Sequence, residues 1–206
     1  MFVNLWNAAW TTEGKYDPQN APDSQHPFMG NGLWFTFAEA LYIYDSWLKV
    51  GKSSMRGGYT GANVAGRTVI PPVQSYAGLD MSDCFNGIKR LEVFVARMCV
   101  IGKLTSAFNG CTKLTTVKIH TLQFTTSVEN CFAGCSSLTT VELSNLKLSI
   151  SFADSPLLSL SSMQYLVDNA ANTTPITITL HPDAHARLTE ELIAQAAEKQ
   201  ITFATT

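Results

Sequence analysis

The sequence predicts an α/β fold in which a short solenoid carries a parallel sheet. The first observation is an internal repeat, in which a phenylalanine is followed six residues later by a leucine. The second is the spacing of the central copies, 23 to 24 residues, since a unit this small must stack on its neighbours to bury an apolar face. The third is a strand, helix, strand pattern after residue 160, which favours parallel pairing. The repeated pairs are Phe85 and Leu91, Phe108 and Leu114, Phe132 and Leu138, and Phe152 and Leu158.

Each repeat unit predicts one short strand. The two central copies, Ala107 to Ile119 and Cys131 to Leu143, share the pattern F-x-G-C-x-x-L-x-x-V-x-[I/L]. Apolar and polar residues alternate after the leucine, which is typical of a strand with one buried face. Gly110 and Gly134 precede the strands, where the chain must turn. We expect the repeated phenylalanines and leucines to form one continuous buried ladder.

These units resemble the BspA-like leucine-rich repeats of surface proteins from gut and oral bacteria, especially the Bacteroidetes, and of proteins from their phages. The resemblance covers about residues 81–160, and residues 161–206 look like the closing segment of such proteins. It implies a leucine-rich-repeat solenoid and a role in adhesion or recognition. That family shares no catalytic residues that could be transferred to this chain.

Three regions follow from the pattern: an aromatic-rich N-terminal cap at 1–80, the repeats at 81–160, and a βαβ-like C-terminal cap at 161–206. The first region holds all four tryptophans, and Thr36 followed by Glu39 predicts the start of a helix over 37–50. Residues 11–32, rich in Pro, Asp, Asn and Gly, predict a long loop. Residues 68–70 predict a strand before the repeats.

The C-terminal cap predicts two helices and two strands. Ser161 or Ser162 is expected to cap the first helix, and residues 176–180 alternate as a strand. Pro182 suits the first turn of a second helical run that ends near Lys199. A last strand is expected at 201–203, and the parallel pairing of both strands is expected to extend the repeat sheet.

Composition excludes several classes of function. The chain has 206 residues, 46% of them apolar, and a net charge of −2. Its 14 Lys and Arg are scattered, whereas a nucleic-acid-binding protein normally carries a basic stripe, so we expect no nucleic-acid partner. No segment approaches the length of a membrane span, and Met1 to Trp10 lacks the features of a signal peptide. The expected location is therefore extracellular, on a cell surface or in a virion, with export signals absent because the chain is trimmed or because virions leave by lysis.

The cysteines and histidines predict no metal or cofactor. Five cysteines at repeat-locked positions argue against a disulfide framework, and no Cys-x-x-Cys occurs. We expect Cys111 and Cys135 to be reduced and buried. His181 and His185 are four residues apart, but Pro182 and a missing third ligand argue against a metal site, and His120 is expected to be an ordinary outward residue after a repeat strand.

No catalytic motif stands out. There is no Gly-x-Ser-x-Gly pattern, and Gly51-Lys52-Ser53 lacks the preceding glycine of a phosphate-binding loop. Glu92, Glu129 and Glu142 fall on different units, so they are expected to be solvated surface carboxylates rather than a glycosidase pair. The chain is therefore not expected to be an enzyme.

Aromatic residues of the first region are the best candidates for ligand contact. Tryptophan and tyrosine stack on sugars and anchor protein interfaces because they combine a large apolar area with a polar tip. The candidates are Trp10 and Trp34, which flank the predicted loop, and Tyr42. The predicted function is non-enzymatic recognition of a protein or glycan at a bacterial surface. The protein would do this either as a surface protein or as a component of a phage virion. An enzyme with a glycan-active site in the aromatic region and a purely structural virion subunit remain the alternatives, and the sequence leaves the oligomeric state open.

Overall fold

A computed structural model describes residues 66–70, 79–89, 91–96, 101–120, 122, 127–171 and 173–206. The predicted helix at 37–50, the loop at 11–32 and all four tryptophans lie outside these residues. The strands are β1 (Gly66–Ile70), β2 (Leu79–Asp80), β3 (Leu91–Ala96), β4 (Ile101–Lys103), β5 (Thr116–Ile119), β6 (Thr140–Leu143), β7 (Ile150–Phe152), β8 (Ile176–Leu180) and β9 (Ile201–Thr205). The helices are α1 (Leu160–Asp168), α2 (Pro182–His185) and α3 (Glu190–Glu198).

The strands form three short parallel sheets, in the orders β1-β3-β5-β6, β2-β4 and β7-β8-β9. The α/β class and the parallel pairing are as predicted. In the four-stranded sheet, successive units align in register: Val93 pairs with Thr116, and Thr116 pairs in turn with Thr140. The predicted strand at 68–70 exists as β1 and begins two residues earlier, at the sheet's outer edge beside β3.

The phenylalanines form the predicted buried ladder. Phe85, Phe108, Phe132 and Phe152 are at most 1% exposed, and their rings stack with centroids 5.5, 5.6 and 5.1 Å apart. Phe94 meets the first two rings edge-on, 5.3 and 5.0 Å away, a favourable geometry for aromatic pairs. The paired leucines are also fully buried: Leu91, Leu114, Leu138 and Leu158.

A second row of parallel pairing, which the repeat pattern did not reveal, joins segments that lie outside the four-stranded sheet. β4 pairs with β2 through Leu79 and Ile101, and Ile101 in turn bridges Leu122. Asn145 Nδ2 donates to the Leu122 carbonyl at 2.6 Å, and Leu146 bridges Ala170. Neighbouring units therefore contact each other at a second place besides the four-stranded sheet.

The turns before the strands depend on left-handed backbone. Gly87, Gly110 and Gly134 have φ of 76°, 72° and 69°, a region that L residues with a Cβ rarely adopt. Their backbones also lie close together, because a Cβ built on Gly134 would be 3.4 Å from the Gly110 Cα. Conformation therefore favours glycine at all three positions, whereas the contact at Gly134 is an ordinary van der Waals distance that does not by itself exclude a side chain.

The C-terminal region departs from the sequence prediction in how it meets the repeat sheet. The predicted continuous sheet is wrong: β7, β8 and β9 form their own sheet. Helix α1 occupies the place beside β6 where another strand would pair. Ser162 Oγ accepts from the Val141 N–H at 2.9 Å and donates to the Thr139 carbonyl at 3.2 Å. A helix thus covers the edge of β6, which protects it from pairing with other chains.

The helix boundaries also differ from the prediction. Ser159 caps α1, not Ser161 or Ser162, by accepting from the Ser162 N–H. The helical run from Pro182 is broken into α2 and α3, because the Thr189 side chain accepts from the Leu192 N–H and starts a new helix. The strand at Ile176–Leu180 is as predicted, and β9 extends two residues further than expected.

Candidate recognition surface on the strands

The outward side of β3, β5 and β6 presents two rows of side chains, here called the strand face. One row is Val93, Thr116 and Thr140, and the other is Val95, Lys118 and Glu142. All six are half-buried, while the alternate residues of the same strands are fully buried in the core. Period-two alternation in three registered strands therefore creates this face, with valines at one side and polar groups at the other.

Five polar residues meet where the strand face ends, and we call them the polar cluster: Lys118, His120, Glu142, Ser144 and Tyr165. Lys118 Nζ donates to Glu142 Oε1 at 2.6 Å, and His120 Nε2 lies 3.1 Å from Glu142 Oε2. The Lys118 and Glu142 side chains are 35% and 23% exposed, so the ion pair is only partly screened by water. One carboxylate thus joins two basic side chains from the neighbouring unit.

Helix α1 supplies the aromatic member of the cluster. Tyr165 OH and Ser144 Oγ form a hydrogen bond of 2.9 Å, and the Tyr165 ring centroid lies 6.4 Å from that of His120. The helix that covers the β6 edge therefore also places a ring beside the strand face. Two aromatic rings, those of His120 and Tyr165, therefore lie side by side at the end of the strand face.

The electrostatics of the cluster keep Glu142 ionised. Partial burial opposes ionisation, but hydrogen bonds from Lys118 and His120 outweigh it and lower the pKa of Glu142 from its ordinary value. A general acid working near neutral pH needs a raised carboxyl pKa, which is the opposite shift. Glu142 is therefore suited to fixing its basic neighbours and accepting hydrogen bonds from a ligand.

Chemistry by the His120–Glu142 pair would also need a nucleophile or a bound substrate close by. The Tyr165 hydroxyl is bonded to Ser144, and no hydrogen bond joins either residue to His120 among the contacts described. Two concavities of about 190 and 230 Å³ lie elsewhere, and neither is lined by a residue of the polar cluster.

The cysteines are structural within the part of the chain that the structure describes. Cys84, Cys111, Cys131 and Cys135 are buried, and Cys111, Cys131 and Cys135 are free thiols. Cys111 Sγ donates to the Phe85 carbonyl and Cys135 Sγ to the Phe108 carbonyl, each at 3.1 Å. Burial raises the pKa of Cys111 to about 12, so the thiol stays protonated and unreactive. The prediction that Cys111 and Cys135 are reduced and buried is confirmed.

The histidines considered for metal binding have other roles. His181 caps α2, with Nδ1 accepting from the Asp183 N–H at 3.1 Å, and His185 lies in the last turn of that helix. Over the described ranges, no group of three or more His, Cys, Asp or Glu is placed to hold a metal.

The remaining candidates from the sequence divide into two groups. Trp10, Trp34 and Tyr42 lie outside the described residues, so their role as ligand contacts stays a prediction. Glu142 belongs to the polar cluster, which the sequence did not reveal. One signal was available: Lys118 and Glu142 hold the same position in successive units, 24 residues apart. Registered units bring such positions together, and opposite charges there predict a cross-strand pair.

Comparisons of the chain with protein-family models, curated proteins and solved structures found no match. No helix among the described residues has both the length and the apolar character needed to span a membrane. The function must therefore be inferred from the surface itself.

Proposed function

We propose that this protein is a recognition module of the leucine-rich-repeat type, which binds a protein or glycan at a bacterial surface without chemically altering it. The solenoid assignment is supported by the stacked phenylalanines and by hydrogen bonds between units that recur at equivalent positions. The Phe85 N–H donates to Ala107 and the Phe108 N–H to Cys131, 22 and 23 residues further on.

The observation that carries the proposal is the strand face with its polar cluster. Repeat proteins commonly bind ligands over a surface built from equivalent positions of successive units. Here three strands, a histidine and a tyrosine present donors, acceptors and two rings side by side. The paired Lys118 and Glu142 pre-organise the surface, because their side chains are already ordered before a ligand arrives.

Two alternative functions make different demands on the molecule. A glycan-active enzyme would need two convergent acids or a histidine beside a reacting group, and the lowered pKa of Glu142 does not favour its use as a general acid near neutral pH. A purely structural virion subunit would need a large apolar surface at a symmetric contact, whereas a virion subunit that recognises the host surface is a form of the proposed function. The location outside the cell, the choice between adhesin and virion, and contact by Trp10, Trp34 and Tyr42 belong to the same proposal.

The test is a binding screen against arrayed glycans and bacterial surface proteins, followed by variants measured on the best ligand. Tyr165→Ala or Lys118→Ala is expected to weaken binding about thirtyfold or more if the residue is a hot spot, since such truncations cost at least about 2 kcal/mol. Lys113→Ala is the matched control, because Lys113 is an exposed lysine of the same unit that lies in the turn before the strand.

Three outcomes decide between the alternatives. If Trp34→Ala abolishes binding while Tyr165→Ala and Lys118→Ala do not, the N-terminal aromatic region holds the site. If mass spectrometry finds any arrayed glycan cleaved, the protein is an enzyme and the proposal fails. If neither set of variants changes binding relative to Lys113→Ala, the strand face is not the recognition surface.

A further inference from the structure

Strand β9 ends its sheet among the described residues, and the hydrogen-bonding groups along its outer edge can be identified. The Ile176 N–H donates to the Gln200 carbonyl at 3.0 Å, so the even-numbered residues of β9 direct their backbone groups toward β8. The Thr177 N–H donates instead to Ser149 on the β7 side, which agrees with this assignment. The N–H and C=O groups of Ile201, Phe203 and Thr205 therefore point away from the sheet, and no partner for them is seen among the described residues.

The edge strands β6 and β9 differ in how they are protected from pairing with other chains. At β6, helix α1 covers the edge and Ser162 bonds both the Val141 N–H and the Thr139 carbonyl. At β9, the sequence I-T-F-A-T contains no charge and no proline, and its register with β8 has no bulge. A charge, a proline or a bulge in an edge strand are the devices by which proteins prevent edge-to-edge pairing. Their absence from β9 indicates an edge suited to pairing.

An apolar groove of about 190 Å³ runs beside this edge. Ile193 of α3, 45% exposed, and the half-buried Phe203 line it together with Ala197. Phe203 is also the central residue of the three that direct their backbone outward. A partner strand would therefore gain hydrogen bonds from the edge and apolar contact from the groove.

We propose that β9 pairs with β9 of a second copy of this chain, antiparallel and about a two-fold axis at Phe203. The edge is self-complementary: Phe203 faces its counterpart, and Ile201 faces the Thr205 of the other copy. Each such pair exchanges two N–H···O bonds. With no charge in the strand, no like charges oppose each other, and the two grooves meet across the axis. Two-fold dimers with one shared patch are the commonest protein assembly.

Two exposed threonines of β9 provide a matched pair of variants. Thr205→Pro removes an outward N–H, whereas Thr202→Pro removes an N–H directed toward β8. We expect Thr205→Pro to keep the fold and to weaken the dimer at least about tenfold in its dissociation constant. Thr202→Pro is expected to lower the free energy of unfolding instead. Thr205→Lys places a charge at the edge and replaces Thr205→Pro if the proline variant does not fold.

The measurement is sedimentation equilibrium of the full chain, with amide hydrogen exchange at two concentrations. A wild-type dimer, with exchange at Phe203 and Thr205 that slows as concentration rises, supports the proposal. It is overturned if the wild type is monomeric at about 0.1 mM, or if Thr205→Pro and Thr205→Lys dimerise as well as the wild type. Slow exchange of these amides in a monomer would overturn it too, since another part of the same chain would then cover the edge.

Discussion

Asp154 accepts a hydrogen bond from the backbone N–H of Gly134, with Oδ2 2.7 Å from the nitrogen. In the two preceding units the equivalent glycine N–H donates to a backbone carbonyl, from Gly87 to Asn109 and from Gly110 to Ala133. Asp154 stands where the terminal unit would have its glycine, two residues after Phe152. In a regular terminal unit, the Gly134 N–H would donate to the carbonyl of Ala153, the residue after Phe152. The Asp154 carboxylate replaces that carbonyl.

Removing this carboxylate tests whether a side-chain acceptor does the work of the missing backbone carbonyl. Asp154→Ala is expected to lower the free energy of unfolding by about 0.5–1.5 kcal/mol, because the Gly134 N–H loses its partner. Asp154→Asn keeps an acceptor oxygen and should cost less. Urea denaturation at neutral pH measures both, and equal losses in the two variants would contradict the role assigned to the acceptor.

The phenylalanine ladder is expected to be the main source of stability among the repeats. Phe108→Ala or Leu114→Ala should lower the free energy of unfolding by about 2–5 kcal/mol, since each removes a fully buried side chain and leaves a cavity. Chemical denaturation is the measurement, with Lys113→Ala as an exposed control expected within about 0.5 kcal/mol of wild type. A Phe108→Ala variant as stable as that control would show that the ladder is not a core.

Ser162 and Ser161 are adjacent serines with different surroundings, which makes them a matched test of the covered edge. Ser162 is buried and bonds two backbone groups near or within β6, whereas Ser161 is exposed. Ser162→Ala should cost about 1–3 kcal/mol, because the Val141 N–H is left buried without a partner. Ser161→Ala is expected to be nearly neutral in the same thermal unfolding experiment. Similar losses would mean that the helix, not this hydrogen bond, protects the edge.

Glu142 should make stability depend on pH in the acid range. Its pKa is lowered from the ordinary value of 4.5 in the folded protein, so its contribution is fully present above about that pH and is lost as pH falls through the folded value. The stability difference between wild type and Glu142→Gln is therefore expected at pH 7 and should shrink below pH 4. Denaturation at several pH values measures it. A difference that stays constant down to pH 2 would exclude ionisation of Glu142 as its source.

The buried thiols should not react with a thiol reagent in the native protein. Burial raises the pKa values of Cys111 and Cys135, so neither forms a thiolate at pH 8 and neither is accessible. A thiol reagent should label them only at the rate at which the protein opens, and promptly in denaturant. Peptide mapping assigns the labelled positions, and rapid native labelling of either residue would refute the prediction.

The repeat core was accessible from sequence because it depends on local periodicity. Phe108, Leu114 and Val117 recur at a fixed spacing, and a recurring apolar residue in a stacked unit must face the interior. The strand at Ile176–Leu180 was equally clear from strict alternation. The start of α1 was not, since Ser159, Ser161 and Ser162 all precede the helix or lie in its first turn and each is a good cap. Only the contact of Ser162 with β6 decided among them.

Residue spacing and residue type were enough to predict the parallel α/β class, the buried ladder and the reduced cysteines, because they decide which side chains leave water. The features of the outer surface came only from the folded chain: the His120–Glu142 contact, the position of Tyr165, and the separate sheet that ends at β9. Those features depend on the register between units and on where a helix replaces a strand. Burial imposes a pattern on the sequence, whereas contacts between exposed polar side chains leave almost none.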